Sequence, residues 1–477
     1  MPPIIALLLW FVSLVALLYF DPAKESGTSF ALWVPLIWMF FVGSRLPSQW
    51  IGTQMTTSVA TLEEGNVFDR TILFILILLA FGILVSRSFN WRDFISRNSV
   101  LVIFLFFALL SAIWSDFPLV TLKRWYRDLG NYFVILVVLS DPHPLGAVRT
   151  FLRRISYLLI PLSVLLNKYF PGLSKQYDNW TGMAMFVGPT TSKNMLGVLC
   201  LVSGLFFFWD TAMRWADRKT PLTRKVIVVN VLFFAMTLWQ ANLAQSATSQ
   251  VCLAIGCLVI LTGTSKWCKS HPTFLKLLIP TIFFLYVILA FGFNMNADLA
   301  RQLGRNSTLT GRTDIWEAVL STHTNPVVGA GYESFWLGSR LLQVWRKTGV
   351  GINEAHNGYL EVYLSLGIVG ILLLAMFLLS TYQTIWKRLR EGLALASLGL
   401  AVWTVVLFYN MTEAAAFKGH LMWLTFLLLS IVVSPRAAVD PSPSLGPKLR
   451  NNRIASRKQQ GVAGKRNGVC VAKQAFL

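Results

Sequence analysis

"NEAHNGYLEVYLSLGIVGILLLAMFLLS", residues 353–380, begins with four polar or titratable side chains among its first five residues and then runs from Gly358 to Ser380 with Glu361 as its one charged residue. A run of that length suits a helix that crosses the hydrocarbon of a bilayer, since about 20 apolar residues at about 1.5 Å per residue cover about 30 Å. Similar runs recur along the chain. Spans are predicted at 3–19, 28–43, 68–85, 99–114, 129–140, 151–167, 195–209, 226–241, 250–263, 274–293, 358–380, 395–410 and 420–434. The fifth is short for a crossing and reads as a re-entrant or tilted segment, which makes the count 12 or 13. Composition agrees: 55% of the 477 residues are hydrophobic and 13% charged, with a mean hydropathy of +0.59. The predicted fold is therefore an all-α polytopic membrane protein with one large, partly helical loop.

The net charge of +21 does not point to nucleic acid, because a nucleic-acid binder gathers its basic residues on a soluble face and here they lie between apolar runs. They read as topology signals. Divided between alternate loops, 27 of the 42 Lys and Arg residues fall on one side, including Arg87, Arg92, Arg97, Arg149, Arg153, Arg154 and the tail, and 15 on the other. The richer side is expected to be cytoplasmic. Four regions follow: helices over 1–293, an outer loop over 294–357, C-terminal helices over 358–434, and a cytoplasmic tail over 435–477. The Pro/Ser-rich, then basic tail is expected to be disordered and to meet anionic lipid headgroups. The first twenty residues lack a basic n-region and read as a retained span or signal anchor. Cys200, Cys252, Cys257, Cys268 and Cys470 have no disulfide or zinc spacing.

A loop of about sixty residues is long enough to demand a function or disorder, and this one carries Trp316, Phe335, Trp336 and Trp345. "TDIWEAVLS", 313–321, predicts a helix capped by Thr310 or Thr313, with Ile315, Trp316, Val319 and Leu320 on its apolar face. Arg312 sits beside Gly311 at the start of that helix, where a guanidinium fork, backbone amides and the helix dipole all favour phosphate. Asn357 is a good N-cap for the following span, and His356 stands at the same junction. Elsewhere on the outer side, Lys193 and Asn194 in "GPTTSKNMLG", 188–197, enter a span, while "WQANLAQSATSQ", 239–250, fills a short connection with amides and hydroxyls. Lys193 also reads as a snorkelling lysine and Asn194 as a cap. Glu361 lies one turn inside a span, where an acid is costly and faces a cavity, and Glu413 with Lys418 occupies the last outer loop.

The chain has no Walker A loop, no dinucleotide fingerprint, no HExxH and no paired aspartates spaced for a divalent ion. An extracytoplasmic enzyme that joins groups needs a substrate with its own activation, and a lipid-linked diphosphate sugar has it. Arg312 with Lys193 would hold the diphosphate without metal, and His356 would take the proton from an incoming sugar hydroxyl, oriented by Glu354 or Glu361. The spans would cradle the polyprenyl tail, and the loop aromatics would face sugar rings.

"GRTDIWEAVLSTHTNPVVGAGYESFW", 311–336, followed by "EAHNGYLEVYLSLGIVG", 354–370, resembles the O-antigen ligase/polymerase (Wzy-C) family. "TSKNMLG", 191–197, resembles the motif of its exopolysaccharide-polymerase (ExoQ-like) branch. The resemblance implies a GT-C-like glycosyltransferase that is metal-independent, cofactor-free and inverting. It would use undecaprenyl-diphosphate-linked oligosaccharide at the outer face of a bacterial inner membrane, beside a flippase and a chain-length regulator. Arg312 and His356 match the family's loop arginine and histidine. Ligases carry a further arginine where this chain reads "AQSATSQ", 244–250, so that Lys193 or Arg305 would substitute. That difference favours a polysaccharide polymerase over an O-antigen ligase. A transporter or flippase of lipid-linked sugars is the reading from another class; it would call for broken helices in corresponding halves.

Overall fold

A computed structural model describes residues 2–21, 23, 27–52, 65–177, 182, 184–265, 270, 272–288, 312–414, 417 and 419–434. In chain order the helices are α1 (Pro3–Tyr19), α2 (Trp33–Val42), α3 (Val67–Ser86), α4 (Trp91–Arg97), α5 (Ser99–Leu110), α6 (Pro118–Leu139), α7 (Pro144–Tyr169) and α8 (Lys193–Arg214). They continue as α9 (Pro221–Ala244), α10 (Ala247–Thr264), α11 (Pro272–Val287), α12 (Arg312–Leu320), α13 (Gly338–Thr348), α14 (Gly358–Arg390), α15 (Ala396–Tyr409) and α16 (Leu421–Ser430). The sheet among the described residues is a ribbon of β1 (Lys175–Tyr177) paired antiparallel with β2 (Ala184–Phe186).

The chain is an all-α, multi-pass membrane protein. Helices α3, α8, α9, α10 and α14 are each long and apolar enough to cross a bilayer, and α4 with α5, bent by 96°, makes a sixth candidate. Among the described residues each of the remaining predicted runs also contains a helix, several of them only 10 to 17 residues long. The short run at 129–140 is the apolar half of the 22-residue α6, whose first half carries Lys123, Arg124, Arg127 and Asp128. An apolar-run reading finds only half of such a helix because the other half is polar.

Hydrogen bonds between loops sort the molecule into two ends. At one end Arg45 donates to Thr190 O at 3.2 Å and Gly188 O at 3.1 Å, Thr248 meets Thr412 at 3.0 Å, and Arg340 pairs with Asp116 at 2.6 Å. At the other, Arg87 pairs with Asp141 at 3.2 Å, Asn98 bonds Val432 O at 2.8 Å, and Arg388 bonds Leu429 O at 2.8 Å. Each contact joins loops that the alternation of spans assigns to one side. Near the second end, buried Asp210 on α8 accepts from Arg153 of α7, from Asn230 of α9 at 2.8 Å and from Arg214 at 3.0 Å. Three donors thus replace the water that this carboxylate has lost.

The long helix α14 is broken. Gly367 has φ 65° and ψ −162°, and the segment 326–331 lies in the gap. Ala330 N and Gly331 N donate to Leu364 O and Ser365 O, both at 2.9 Å, while Ile368 N and Val369 N donate to Pro326 O at 2.9 Å and Val327 O at 3.1 Å. Backbone groups freed by the break are thus satisfied by a strap of irregular chain, the condition for such a break at membrane depth. A Cβ at Gly367 would come within 2.2 Å of the Val327 backbone, on top of the positive φ. The strap ties α14 to a small separate core of Ile315, Val319, Phe335, Trp336, Leu341 and Val344 from α12, α13 and the turn between them.

Gly367→Ala is expected to cost roughly 2 kcal/mol or more, from strain and overpacking together. Gly82→Ala in α3, where a Cβ meets nothing within 4 Å, should be neutral or mildly stabilising. Thermal unfolding of the two detergent-solubilised variants, followed by loss of the monodisperse fraction, checks the contrast.

Candidate functional site

Three helices begin around one carboxylate. Asn194 is the second residue of α8, Arg312 the first of α12, and His356 stands two residues before α14. Glu413, in the loop after α15, reaches all three. Its Oε1 is 2.7 Å from Arg312 Nη2, and its Oε2 accepts from Asn194 Nδ2 at 2.9 Å and lies 3.5 Å from His356 Nδ1. The Glu413 side chain is only 6% exposed, so these contacts replace the water it has lost.

Local sequence sets each position. Ser192 caps α8 through Met195 N, which turns Asn194 inward at the first turn. Asn357 caps α14, its Oδ1 accepting from Tyr359 N and Leu360 N at 3.0 Å each, and its Nδ2 donates to Met411 O at 3.3 Å. Gly358 N donates to Asn410 O at 2.9 Å and Glu413 O at 3.2 Å, stitching the Glu413 loop to the start of α14. His356 itself has φ 49°, in the left-handed region.

The imidazole Nδ1 lies 3.1 Å from Glu354 Oε1 and 3.5 Å from Glu413 Oε2, within ion-pair reach but off the line of a straight hydrogen bond to either. Burial opposes the charged form of the ring. The Glu413 contact and the charges of Glu354 and Glu413 outweigh burial and the opposing Arg312 guanidinium, so the pKa of His356 is raised above its ordinary value. Nδ1 is buried while the side chain is 27% exposed, which leaves the exposed part of the ring turned away from the carboxylates.

Of the residues picked from sequence, His356, Arg312, Glu354 and Asn194 converge here, and Asn357 is the cap of α14. Lys193 opens α8 beside Asn194. Arg305, Lys418 and Thr310 lie outside the described residues. Glu354 and Glu361 were equal candidates to orient the imidazole, and Glu354 is the one that reaches it. Glu361 instead accepts from Trp336 Nε1 at 3.0 Å and from Ala355 N at 2.6 Å. Three expectations for the loop and one for the connection 239–250 need correction. Thr313 is inside the first turn of α12, which starts one residue before it, and so is not its cap. Leu320 is 58% exposed while Ala318 is buried, because a step of three from Ile315 stays on the buried face and a step of five leaves it. Of the aromatics expected to face sugar rings, Phe335 and Trp336 are buried and cannot do so, while Trp316 and Trp345 are half-buried with indoles that donate to Ala355 O and Ile352 O. Within the connection 239–250, Gln240 is still in α9 and accepts from Ser163 and Asn167 at 2.8 and 2.7 Å, so part of this polar stretch joins helices. The sequence shows Glu413 only as a neighbour of Lys418, and the signal for its central place is that it is the lone acid between two apolar helices.

Residues 231–375 match a family model described as O-Antigen ligase, Wzy_C. The matched segment contains Arg312, Glu354, His356 and Glu361, and neither Asn194 nor Glu413 lies within it. The chain is also similar to "Exopolysaccharide production protein ExoQ" of Rhizobium meliloti (strain 1021), at 27% identity over 295 residues. That match covers 60% of this chain and 65% of the relative, so it spans less than two thirds of the relative's length. The family resemblance read from the motifs thus holds over the segment that bears the loop arginine and the histidine.

The contact of the imidazolium with its carboxylates stabilises the fold below the ordinary histidine pKa of about 6.5, and this contribution is lost as pH rises through the raised folded value. Glu413→Gln should move the His356 midpoint downward. With five histidines in the chain, ring-labelled NMR titration in detergent can follow that midpoint directly.

Proposed function

We propose that the protein polymerises undecaprenyl-diphosphate-linked oligosaccharide repeat units into exopolysaccharide or O-antigen, by metal-independent inverting transfer at the periplasmic face of the inner membrane. The observation that carries this reading is the convergence of Arg312, His356 and Asn194 on Glu413 at the starts of three helices. The likeness to an exopolysaccharide production protein supports it.

In this reaction an acceptor sugar hydroxyl attacks the anomeric carbon of the donor. The new glycosidic bond forms as the bond to the diphosphate oxygen breaks, and the polyprenyl diphosphate leaves with the electron pair. His356 takes the hydroxyl proton on its exposed edge, and Glu354 and Glu413 hold the resulting imidazolium. Arg312, supported by the N-terminal amides of α12 and with Lys193 nearby in sequence to Asn194, meets the charge growing on the leaving diphosphate. Glu413 keeps the guanidinium and the imidazole at a fixed separation before substrate arrives. The alternation of basic loops supports placing this end of the bundle outside the cytoplasm.

Ligation of the lipid-linked glycan to lipid A core or another acceptor is the second reading, favoured by the description of the matched family. The arginine-free "AQSATSQ" connection supports polymerisation instead. Purified protein in chelator-containing vesicles with a lipid-linked repeat unit separates the readings. Longer lipid-linked chains mean polymerase, a different glycosylated acceptor means ligase, and movement without new bonds means a transporter.

His356→Ala should lower the rate by about 10²–10⁴-fold and Arg312→Ala by about 10²–10³-fold, with membrane insertion intact. Wild-type polymer from both would remove this assignment. Because the base must be neutral to accept a proton, the wild-type rate should climb as pH rises through the raised His356 pKa.

A further inference from the structure

The residue before His356 is held at both of its peptide groups. Ala355 N donates to Glu361 Oε1 at 2.6 Å, and Ala355 O accepts from Trp316 Nε1 at 2.8 Å. Glu361 in turn is fixed by Trp336 Nε1, which lies 3.0 Å from Oε1 and 3.1 Å from Oε2. Ala355, Glu361 and Trp336 are buried, at 0%, 3% and 7% exposure. On the other side of His356, Asn357 is committed to the α14 cap and to Met411 O. His356 is therefore the one residue between two pinned neighbours, and it adopts the left-handed φ of 49° that side chains usually avoid.

We propose that Glu361, with Trp336 and Trp316, is a positioning device: it clamps the peptide groups of Ala355 and so enforces the backbone turn that aims the His356 imidazole at Glu413 and Glu354. Glu361 acts through backbone geometry, not through its charge and not on substrate. The clamp spans three parts of the outer core, since Trp316 belongs to α12, Trp336 to the turn before α13, and Glu361 to the first turns of α14. That is also where the cation Arg312 is mounted, so one small core sets both arms of the site. The inference rests on the reading of His356 as the base of the transfer.

The test uses full-length protein in vesicles and three variants. Glu361→Gln keeps a carbonyl oxygen that can accept from both Ala355 N and Trp336 Nε1, and should hold the rate within about threefold of wild type despite the weaker neutral acceptor. Glu361→Ala removes the clamp and should lower kcat by about 10²-fold with the donor KM unchanged, the cost of a base misplaced by about an ångström. Trp316→Phe keeps the ring and removes the donor, and should fall between them in kcat. A second measurement needs no turnover: carbethoxylation of His356 by diethyl pyrocarbonate across pH, read by mass spectrometry on inserted protein. The groups facing the imidazole are Glu354 from its own segment, Glu413 from the loop after α15 and Arg312 from α12. Labelling is done on the monodisperse fraction of Glu361→Ala and Trp316→Phe, freed of unfolded protein, which titrates at the ordinary value in any case; there the midpoint should drop toward about 6.5 as the carboxylates lose their contact, whereas a merely structural role would leave it at the wild-type position. Glu361→Gln as inactive as Glu361→Ala would overturn the proposal in favour of a role for the charge. Unchanged rate and unchanged midpoint in Glu361→Ala and Trp316→Phe would overturn it outright. If His356→Ala itself polymerised normally, the catalytic reading would fail while the carbethoxylation midpoint still decided on the clamp.

Discussion

A carboxylate almost sealed from water at the end of a helical bundle must be compensated by protein, and Glu413 is compensated by three separate stretches of chain. Removing one partner of a buried pair leaves a charge that costs about 3–5 kcal/mol, so the ion pair with Arg312, the Asn194 amide and the imidazole contact are mutually dependent. This one group fixes where α12 begins relative to α8 and α14. It also keeps a guanidinium and an imidazole near each other without allowing either to drift to solvent. Arrangements of this kind are prepared for an anionic, reacting ligand because the cost of assembling them is met in folding.

A second constraint is the demand that backbone groups in the bilayer find partners inside the protein. The break in α14 at Gly367 would violate it, and the strap 326–331 meets it with four backbone hydrogen bonds. The segment 312–357 is thereby tied to the bundle along its length as well as through the start of α14. It is woven into the span that carries the histidine, and its own core of Val319, Phe335, Leu341 and Val344 keeps α12 and α13 rigid enough to present Arg312.

The matched family segment and the site do not coincide. Arg312 and His356 fall within residues 231–375, while Asn194 and Glu413 join them from outside it. A broken helix is also among the features expected of a carrier. Here the break is filled by chain from the outer core, and it serves to anchor the residues proposed for chemistry.

The sequence by itself determined the class of molecule and the parts of the site that lie next to helix starts. Apolar runs mark helices because a span must satisfy its backbone internally, and among the described residues each predicted run contains one. Arg312, His356, Asn357 and Asn194 were legible because capping residues and cations at helix beginnings have a local signature. Partnership was not legible, since it depends on which helix ends meet. Glu413 is 57 residues from His356 and 219 from Asn194, and no periodicity links them. Glu361 looked like an acid facing a cavity, and only the tertiary structure turned it toward Ala355 and Trp336. Likewise the loop aromatics read as a surface, but the packing of α12 on α13 decided that they form a core. The physical reason is the same in each case: a side chain's reach is fixed locally, whereas its partner is chosen by packing across the fold.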